Sequence, residues 1–381
     1  MAAGGRDPLM HYTLHLTARC NMRCDYCYVN QSGAEMTFGT AKAAIDLAER
    51  GSTRAGLIFF GGEPLLCKDL VIKAIEYARS LEKRNKCRFF FKITTNGLLL
   101  DKDFIEFACQ ESVFVALSID GLKEAHDAHR RDAQGQGTYD RVAGAAKRLL
   151  AAKPYSPALM TVRPDTLPRY AAGVEALFDL GFSYVIASLD YSAGWQDSDL
   201  DELAAQYELL ANLYERKTLA EDKFYFSPFE VKISSHVNNR TYCHERCELG
   251  LRQLSVDPGG TLYPCVQFVG DPGFCIGDVW KGIDESARQA LYARNEQEKP
   301  GCARCCIRSR CNHYCACLNR QATGSIDEAS PMLCAHERIV LPIADRLAER
   351  LYRQGSAIFM QKHYNDYYPI MSIVEDRISR F

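Results

Sequence analysis

Three cysteines, Cys20, Cys24 and Cys27, stand in the spacing C-x3-C-x2-C within CNMRCDYC (20–27). Three thiolates this close can hold three corners of one metal centre. On a [4Fe-4S] cluster the fourth iron then keeps an open position for a small-molecule ligand. The spacing by itself suits equally a structural zinc with a fourth ligand elsewhere, or three unrelated thiols. Tyr26 places an aromatic ring beside the last cysteine, where it can lie against a planar ligand such as adenine. Further along come Gly61-Gly62-Glu63-Pro64, Thr95-Asn96-Gly97 and Ser118-Ile119-Asp120-Gly121. Bare backbone beside the Glu63 carboxylate suits an ammonium group. Taken singly, each of these is ordinary turn chemistry.

A second, denser group comprises Cys243, Cys247, Cys265, Cys302, Cys305, Cys311, Cys315 and Cys334. Eight thiols suit two four-thiolate centres, of zinc or of iron and sulfur. In all, 17 of the 381 residues are cysteine. The N-terminal MAAGGRDPLM has no apolar export core, so disulfides are disfavoured and metal leads, with a cytoplasmic location expected. No stretch approaches 18 uninterrupted apolar residues, and no membrane span is expected. With 46 basic against 48 acidic residues the net charge is -2, and basic patches interleaved with aromatics are absent, which argues against nucleic acid as a partner.

The elements that must position these residues are legible as apolar runs. HYTLHLT (11–17), GLIFFGG (56–62), RFFFKITT (88–95), VFVALSI (113–119), ALMTV (158–162) and SYVIASL (183–189) read as buried parallel strands. Helical patterns at 38–50, 68–83, 101–110, 139–152, 168–180 and 199–220 alternate with them. Six βα units make either a partly closed barrel or a doubly wound sheet, and both put the site at the strand C-terminal ends. All four polar motifs fall there, in consecutive βα loops. The pattern changes near residue 223, and a helix is expected from about 334 to 355.

CNMRCDYC resembles the signature of the radical S-adenosylmethionine (SAM) enzymes, and GGEP resembles their motif for the SAM amino group. The resemblance covers roughly residues 10 to 220. It implies a partial (β/α)6 TIM barrel and a [4Fe-4S] cluster on Cys20, Cys24 and Cys27. SAM chelates the fourth iron and is cleaved reductively to a 5′-deoxyadenosyl radical, which abstracts hydrogen from substrate. By the same resemblance Gly62 and Glu63, within Gly61-Gly62-Glu63-Pro64, hold the methionine amine. Asn96, Ser118 and Asp120 face the ribose and carboxylate, and Arg130, or Arg131 in its stead, pairs with the carboxylate.

The second group, C247-x12-G260-x4-C265 followed by C302-x2-C305-x5-C311-x3-C315 and Cys334, is similar to the SPASM extension of radical SAM peptide-modifying enzymes. That resemblance implies two auxiliary [4Fe-4S] clusters, three clusters in all. One is held by Cys243, Cys247, Cys265 and Cys315, the other by Cys302, Cys305, Cys311 and Cys334. The implied organisation is a tail (1–10), a barrel (11–222), a bridge (223–242), the SPASM domain (243–340) and a C-terminal helix with an aromatic tail (341–381). Six cysteines are left over: Cys67, Cys87, Cys109, Cys275, Cys306 and Cys317; Cys306 and Cys317 lie where they can replace Cys305 or Cys315. His313 reads as a surface residue.

The activity expected from the resemblance is hydrogen abstraction from a ribosomally made precursor peptide and formation of an intrapeptide crosslink, a thioether or a carbon–carbon bond. Flavodoxin or ferredoxin is the expected electron donor. Sulfatase maturation needs an aspartate base after the cysteine matching Cys265, and Val266 stands there instead. Anaerobic sulfatase-maturase-like formylglycine formation, peptide epimerisation, action on a small molecule or tetrapyrrole, and a non-catalytic iron–sulfur electron carrier are the alternatives. Only ten residues precede the first strand, so the barrel mouth, the second domain or a separate leader-binding protein is expected to recognise a leader, with an exposed strand edge as one means of capture.

Overall fold

Strand formation follows the apolar runs closely. In the computed structural model, which describes residues 9–84, 87–238 and 247–368, they form β1 (Met10–Thr17), β2 (Arg54–Gly61), β3 (Arg88–Thr95), β4 (Phe114–Ser118), β5 (Ala158–Val162) and β6 (Tyr184–Leu189). Each pairs in parallel with the next. Leu14, Leu16, Leu57, Phe59, Ile93, Val115 and Leu117 are fully buried, the reason these strands read as near-continuous apolar runs. The helices predicted between them also form. Thr37 caps Phe38–Gly51 by accepting from the Thr40 amide, and Asp101 caps Lys102–Gln110 by accepting from the Phe104 amide. This alternation of parallel strands and helices is the partial barrel expected from the sequence.

The sheet does not stop at six strands. A two-residue β7 (Tyr225–Phe226) pairs with β6 at one end. At the other end β8 (Gln253–Val256) pairs in parallel with β1, and β9 (Leu262–Tyr263) runs antiparallel to β8. The order is β7-β6-β5-β4-β3-β2-β1-β8-β9. A division of the chain at residue 243 therefore runs through one continuous sheet. The part read as an appended domain thus contributes strands to the barrel sheet: QLSV returns to pair with the first strand.

Helix Pro331–Arg353 likewise crosses the division placed at residue 340 and packs on helices Asp197–Leu219 and Ser227–Val237. Lys232 and Glu337 form a buried ion pair across this contact at 2.6 Å. His336 is hydrogen-bonded on both ring nitrogens, to Tyr191 and Tyr207, each at 2.7 Å. The cysteine-rich part has only a small core of its own, built on Leu249, Tyr263, Cys265, Phe268, Phe274, Ala316 and Ile326. His313 is buried against the Tyr314 ring and is not on the surface.

Candidate active site

The loop after β1 carries the three-cysteine motif and is tied down at both ends. Ala18 donates to the Ala34 carbonyl at 2.9 Å, Met36 to Leu16 at 2.8 Å, and Arg23 to Arg131 at 2.7 Å. Cys20 and Cys24 are half-buried and Cys27 is exposed. The Cys20 sulfur accepts from the Met22 amide at 3.4 Å and from Asn96 Nδ2 at 3.7 Å. Burial pushes the Cys24 thiol up to about 11, against the pull of the Arg130 charge. The Cys20 and Cys24 thiols, both raised by burial, therefore hold their protons until a cation displaces them, as metal ligation does. Among the described residues no group of three Cys, His, Asp or Glu side chains is arranged to hold a single metal ion. A four-iron cluster is a larger body, and its ligands stand farther apart.

The Glu63 carboxylate is buried and accepts three hydrogen bonds, from the Leu65 amide at 3.0 Å, Thr95 Oγ1 at 2.8 Å and the Asn96 amide at 2.8 Å. All three donors are neutral. Burial pushes this carboxyl up to about 7 despite them. A buried carboxylate so placed is completed by a cationic ligand, and the α-ammonium of SAM is one. The two glycines, which line the cavity, also answer a packing need. The Gly62 amide donates to Thr17 at 2.7 Å, and a Cβ there would overlap the Arg19 carbonyl oxygen. Gly61, at φ 125°, would likewise meet the Thr17 carbonyl. They let the end of β2 lie flush against the cysteine loop. Pro64 opens a 3-10 turn capped by Glu63, where its missing amide costs nothing.

Asp120 and Arg130 are a buried pair, joined at 2.7 and 3.1 Å. Asp120 also accepts from Tyr26 at 2.6 Å and from the Thr161 amide at 2.9 Å. Asp120, which the resemblance puts on the ribose and carboxylate side, is not in the cavity lining and is bonded instead to Arg130 and Tyr26, which are. The guanidinium lies 5.3 Å from the Tyr26 ring centroid. Arg130 lines the cavity, whereas Arg131 is exposed and bonds the Asp127 carbonyl.

A cavity of about 440 Å³ opens at the strand C-terminal ends. It brings together Cys20, Cys24, Tyr26, Cys27, Gly61, Gly62, Glu63, Asn96, Ser118 and Arg130. It also holds residues that sequence reasoning missed: Thr161 and Ser188 from β5 and β6, Asp190 just after β6, and Gln267 and Gln321 from the cysteine-rich part. The strand-end logic applied to the first four strands would have found the first three. Asp190 is fixed by Ser192, through its amide at 3.0 Å and its hydroxyl at 2.6 Å.

In the cysteine-rich part, Cys247, Cys265 and Cys315 are electrostatic neighbours, and so are Cys302, Cys305, Cys311 and Cys334. Cys317 adjoins the first of these groups and Cys306 is exposed. Cys243 lies outside the described residues.

An α/β fold with its cavity at the strand ends, lined by three cysteines on the first βα loop and a buried carboxylate on the second, defines a site for a cluster and a small cationic cofactor. Residues 14–168 match the family model described as the radical SAM superfamily. An uncharacterized protein of Methanocaldococcus jannaschii is 36% identical over 31% of this chain and 41% of its own length. The cysteine-type anaerobic sulfatase-maturating enzyme of Clostridium novyi is 31% identical over 33% of this chain and 36% of its own. The match thus spans about two fifths of these relatives. The antilisterial bacteriocin subtilosin biosynthesis protein AlbA of Bacillus subtilis is 23% identical over 80% of this chain and 66% of its own length.

Among solved structures, anSMEcpe with bound AdoMet superposes with a TM-score of 0.79 at 19% identity, covering 91% of this chain and 99% of that one. SuiB of Streptococcus suis bound to the precursor peptide SuiA superposes at 0.61 with 15% identity, covering 86% and 76%. At these identities the likeness is one of fold. No helix among the described residues is long and apolar enough to cross a membrane.

Proposed function

We propose that this chain is a radical SAM enzyme that modifies a peptide, by forming an intrapeptide crosslink within a ribosomally made precursor. The observation that carries the reading is the cavity itself, which gathers the residues suited to a cluster and SAM and also presents Thr161, Ser188, Gln267 and Gln321, neutral groups that both donate and accept, as peptide amides require. The names of the sulfatase-maturating relative, AlbA and the peptide-bound SuiB support a peptide substrate.

Cys20, Cys24 and Cys27 would hold a [4Fe-4S] cluster, Glu63 the SAM ammonium, and Arg130 the SAM carboxylate. With both bound, reductive cleavage of SAM supplies the radical that takes hydrogen from the peptide. The chain's own work is to seat the peptide, fix the SAM ends and exclude water. The cysteine-rich part would hold two auxiliary iron–sulfur centres that accept the surplus electron. A thioether is favoured over formylglycine because Val266 follows Cys265, and an aliphatic side chain takes no proton.

Two measurements test this. Reduced, reconstituted protein given SAM alone produces 5′-deoxyadenosine; none would leave an electron carrier. Short Cys-containing peptides encoded beside the gene, co-expressed under low oxygen, lose two hydrogen masses per site and a thiol that can be alkylated. An unchanged mass removes crosslinking for those peptides, and repetition in deuterated water then reports epimerisation.

A further inference from the structure

Cys317 has no place in the ligand sets drawn from the sequence, yet it stands inside one of them. Its sulfur is 3.5 Å from that of Cys315 and is also a hydrogen-bonding neighbour of Cys265. Cys247 completes the group, within electrostatic reach of both Cys265 and Cys315. Resting on the reading above that this part holds auxiliary iron–sulfur centres, we propose that Cys317 is a ligand of the first of them, together with Cys247, Cys265 and Cys315, and that Cys315 and Cys317 share one iron.

The surroundings are those of bound thiolates. Cys315 is the N-cap of helix Ala316–Thr323, and Cys317 is its second residue. Cys315 and Cys317 thus stand in the first turn of a helix, where the free amides and the dipole stabilise thiolate charge. The group is also shielded, since Cys265 and Ala316 belong to the small second core and Cys247 and Cys317 pack against it.

The spacing bears on the kind of centre. Two thiolates on one tetrahedral metal, at bonds of about 2.3 Å, stand about 3.8 Å apart. The Cys315–Cys317 separation of 3.5 Å is of that size. In a four-iron cubane each iron takes a single thiolate, so the pair would have to spread; in a [2Fe-2S] rhomb each iron takes two. Cys315 with Cys317 on one iron, and Cys247 with Cys265 on the other, uses all four sulfurs with only two at any metal. The centre is then a [2Fe-2S] cluster, in place of the four-iron cluster and the Cys243 ligand that the resemblance implies.

The test uses the full chain, reconstituted anaerobically with iron and sulfide and examined by iron analysis and Mössbauer spectroscopy. The wild type is expected to hold about ten irons, with one two-iron component beside the cubanes. C317A should lose that component and about two irons, whereas C243A should keep both. A SAM-induced shift in the electron paramagnetic resonance of the remaining reduced cluster shows that each variant is folded. Retention of the first auxiliary centre in C317A, its loss in C243A, or a wild type containing cubanes alone overturns the proposal. Alkylation of the wild type guards against a variant that misfolds: Cys317 should react in the apoprotein and be protected in the loaded one, and reaction in both would equally overturn it. A wild type with no iron beyond the SAM-responsive cluster would instead remove the auxiliary-centre reading itself.

Discussion

Glu63 shows how much chemistry one buried side chain can dictate. Its carboxyl is pushed up to about 7 by burial, so without a cationic partner it holds a proton over part of the neutral range. An arriving ammonium favours the charged carboxylate, and binding below that pH must expel the proton. SAM affinity is therefore expected to rise from pH 6 to about 7 and then level off. Glu63→Gln should remove this pH dependence and weaken binding by about 10- to 100-fold, the loss of one charge-assisted buried contact. Anaerobic calorimetry at pH 6 and 7.5 measures both, and a wild-type affinity equal at the two values would count against an ammonium at Glu63. Gly62→Ala tests the neighbouring position: its Cβ would overlap the Arg19 carbonyl, so the cysteine loop must move. The iron bound at Cys20, Cys24 and Cys27 should fall severalfold, read from the iron-dependent absorbance. These residues are legible in the sequence because spacing and residue type carry their chemistry. Asp120 is not, since its partners Arg130, Tyr26 and Thr161 are brought to it only by folding.

Elements were legible where burial writes a pattern. The six long strands are apolar along their whole length because both faces are covered, and the helices between them carry an amphipathic period. β8 was hidden: QLSV is four residues long, and its partner lies some 240 residues earlier in the chain. The docking of helix Pro331–Arg353 was hidden too, because it depends on a polar contact. His336 is held down to about 3 by burial, with the Lys232 charge a lesser cause, and both its nitrogens engage tyrosine hydroxyls. The folded state keeps this ring neutral while the unfolded chain protonates it near 6.5. Stability from this residue is present above that pH and lost as pH falls from 6.5 toward 3, by about 2 kcal/mol at pH 5. His336→Leu leaves two tyrosine hydroxyls without their partner and should cost about 2–4 kcal/mol at pH 7.5. His126 and His363, each lowered to about 4, act in the same direction in both proteins, so the difference between wild type and variant isolates His336. Urea unfolding at pH 7.5 and 5 is the measurement. A gap between the two proteins that does not narrow at pH 5 would show that the ring is not held neutral.

At the scale of the whole molecule, two unequal sources of stability meet in one sheet. The barrel side buries dozens of apolar side chains in one continuous core, whereas the cysteine-rich part has seven residues in a core built around the Phe268–Phe274 stack at 4.0 Å. So small a core cannot order its loops by burial alone, and metal ligation would have to supply the remainder. β8 is different, because its hydrogen bonds run to β1 and its Leu254 and Val256 are fully buried in the larger core. Stripping the iron should therefore divide the second part internally, along the boundary between sheet and loops. Hydrogen exchange compared between reconstituted and chelator-stripped protein is expected to leave Gln253–Val256 as slow as β1. Peptides spanning 299–318 should lose protection by at least tenfold. If β8 loosened together with the cysteine loops, the second part would be a unit held by its metal alone, and the pairing with β1 would be too weak to matter. If the loops stayed protected without iron, their order would come from packing, and the case for metal as the organiser of this part would fall.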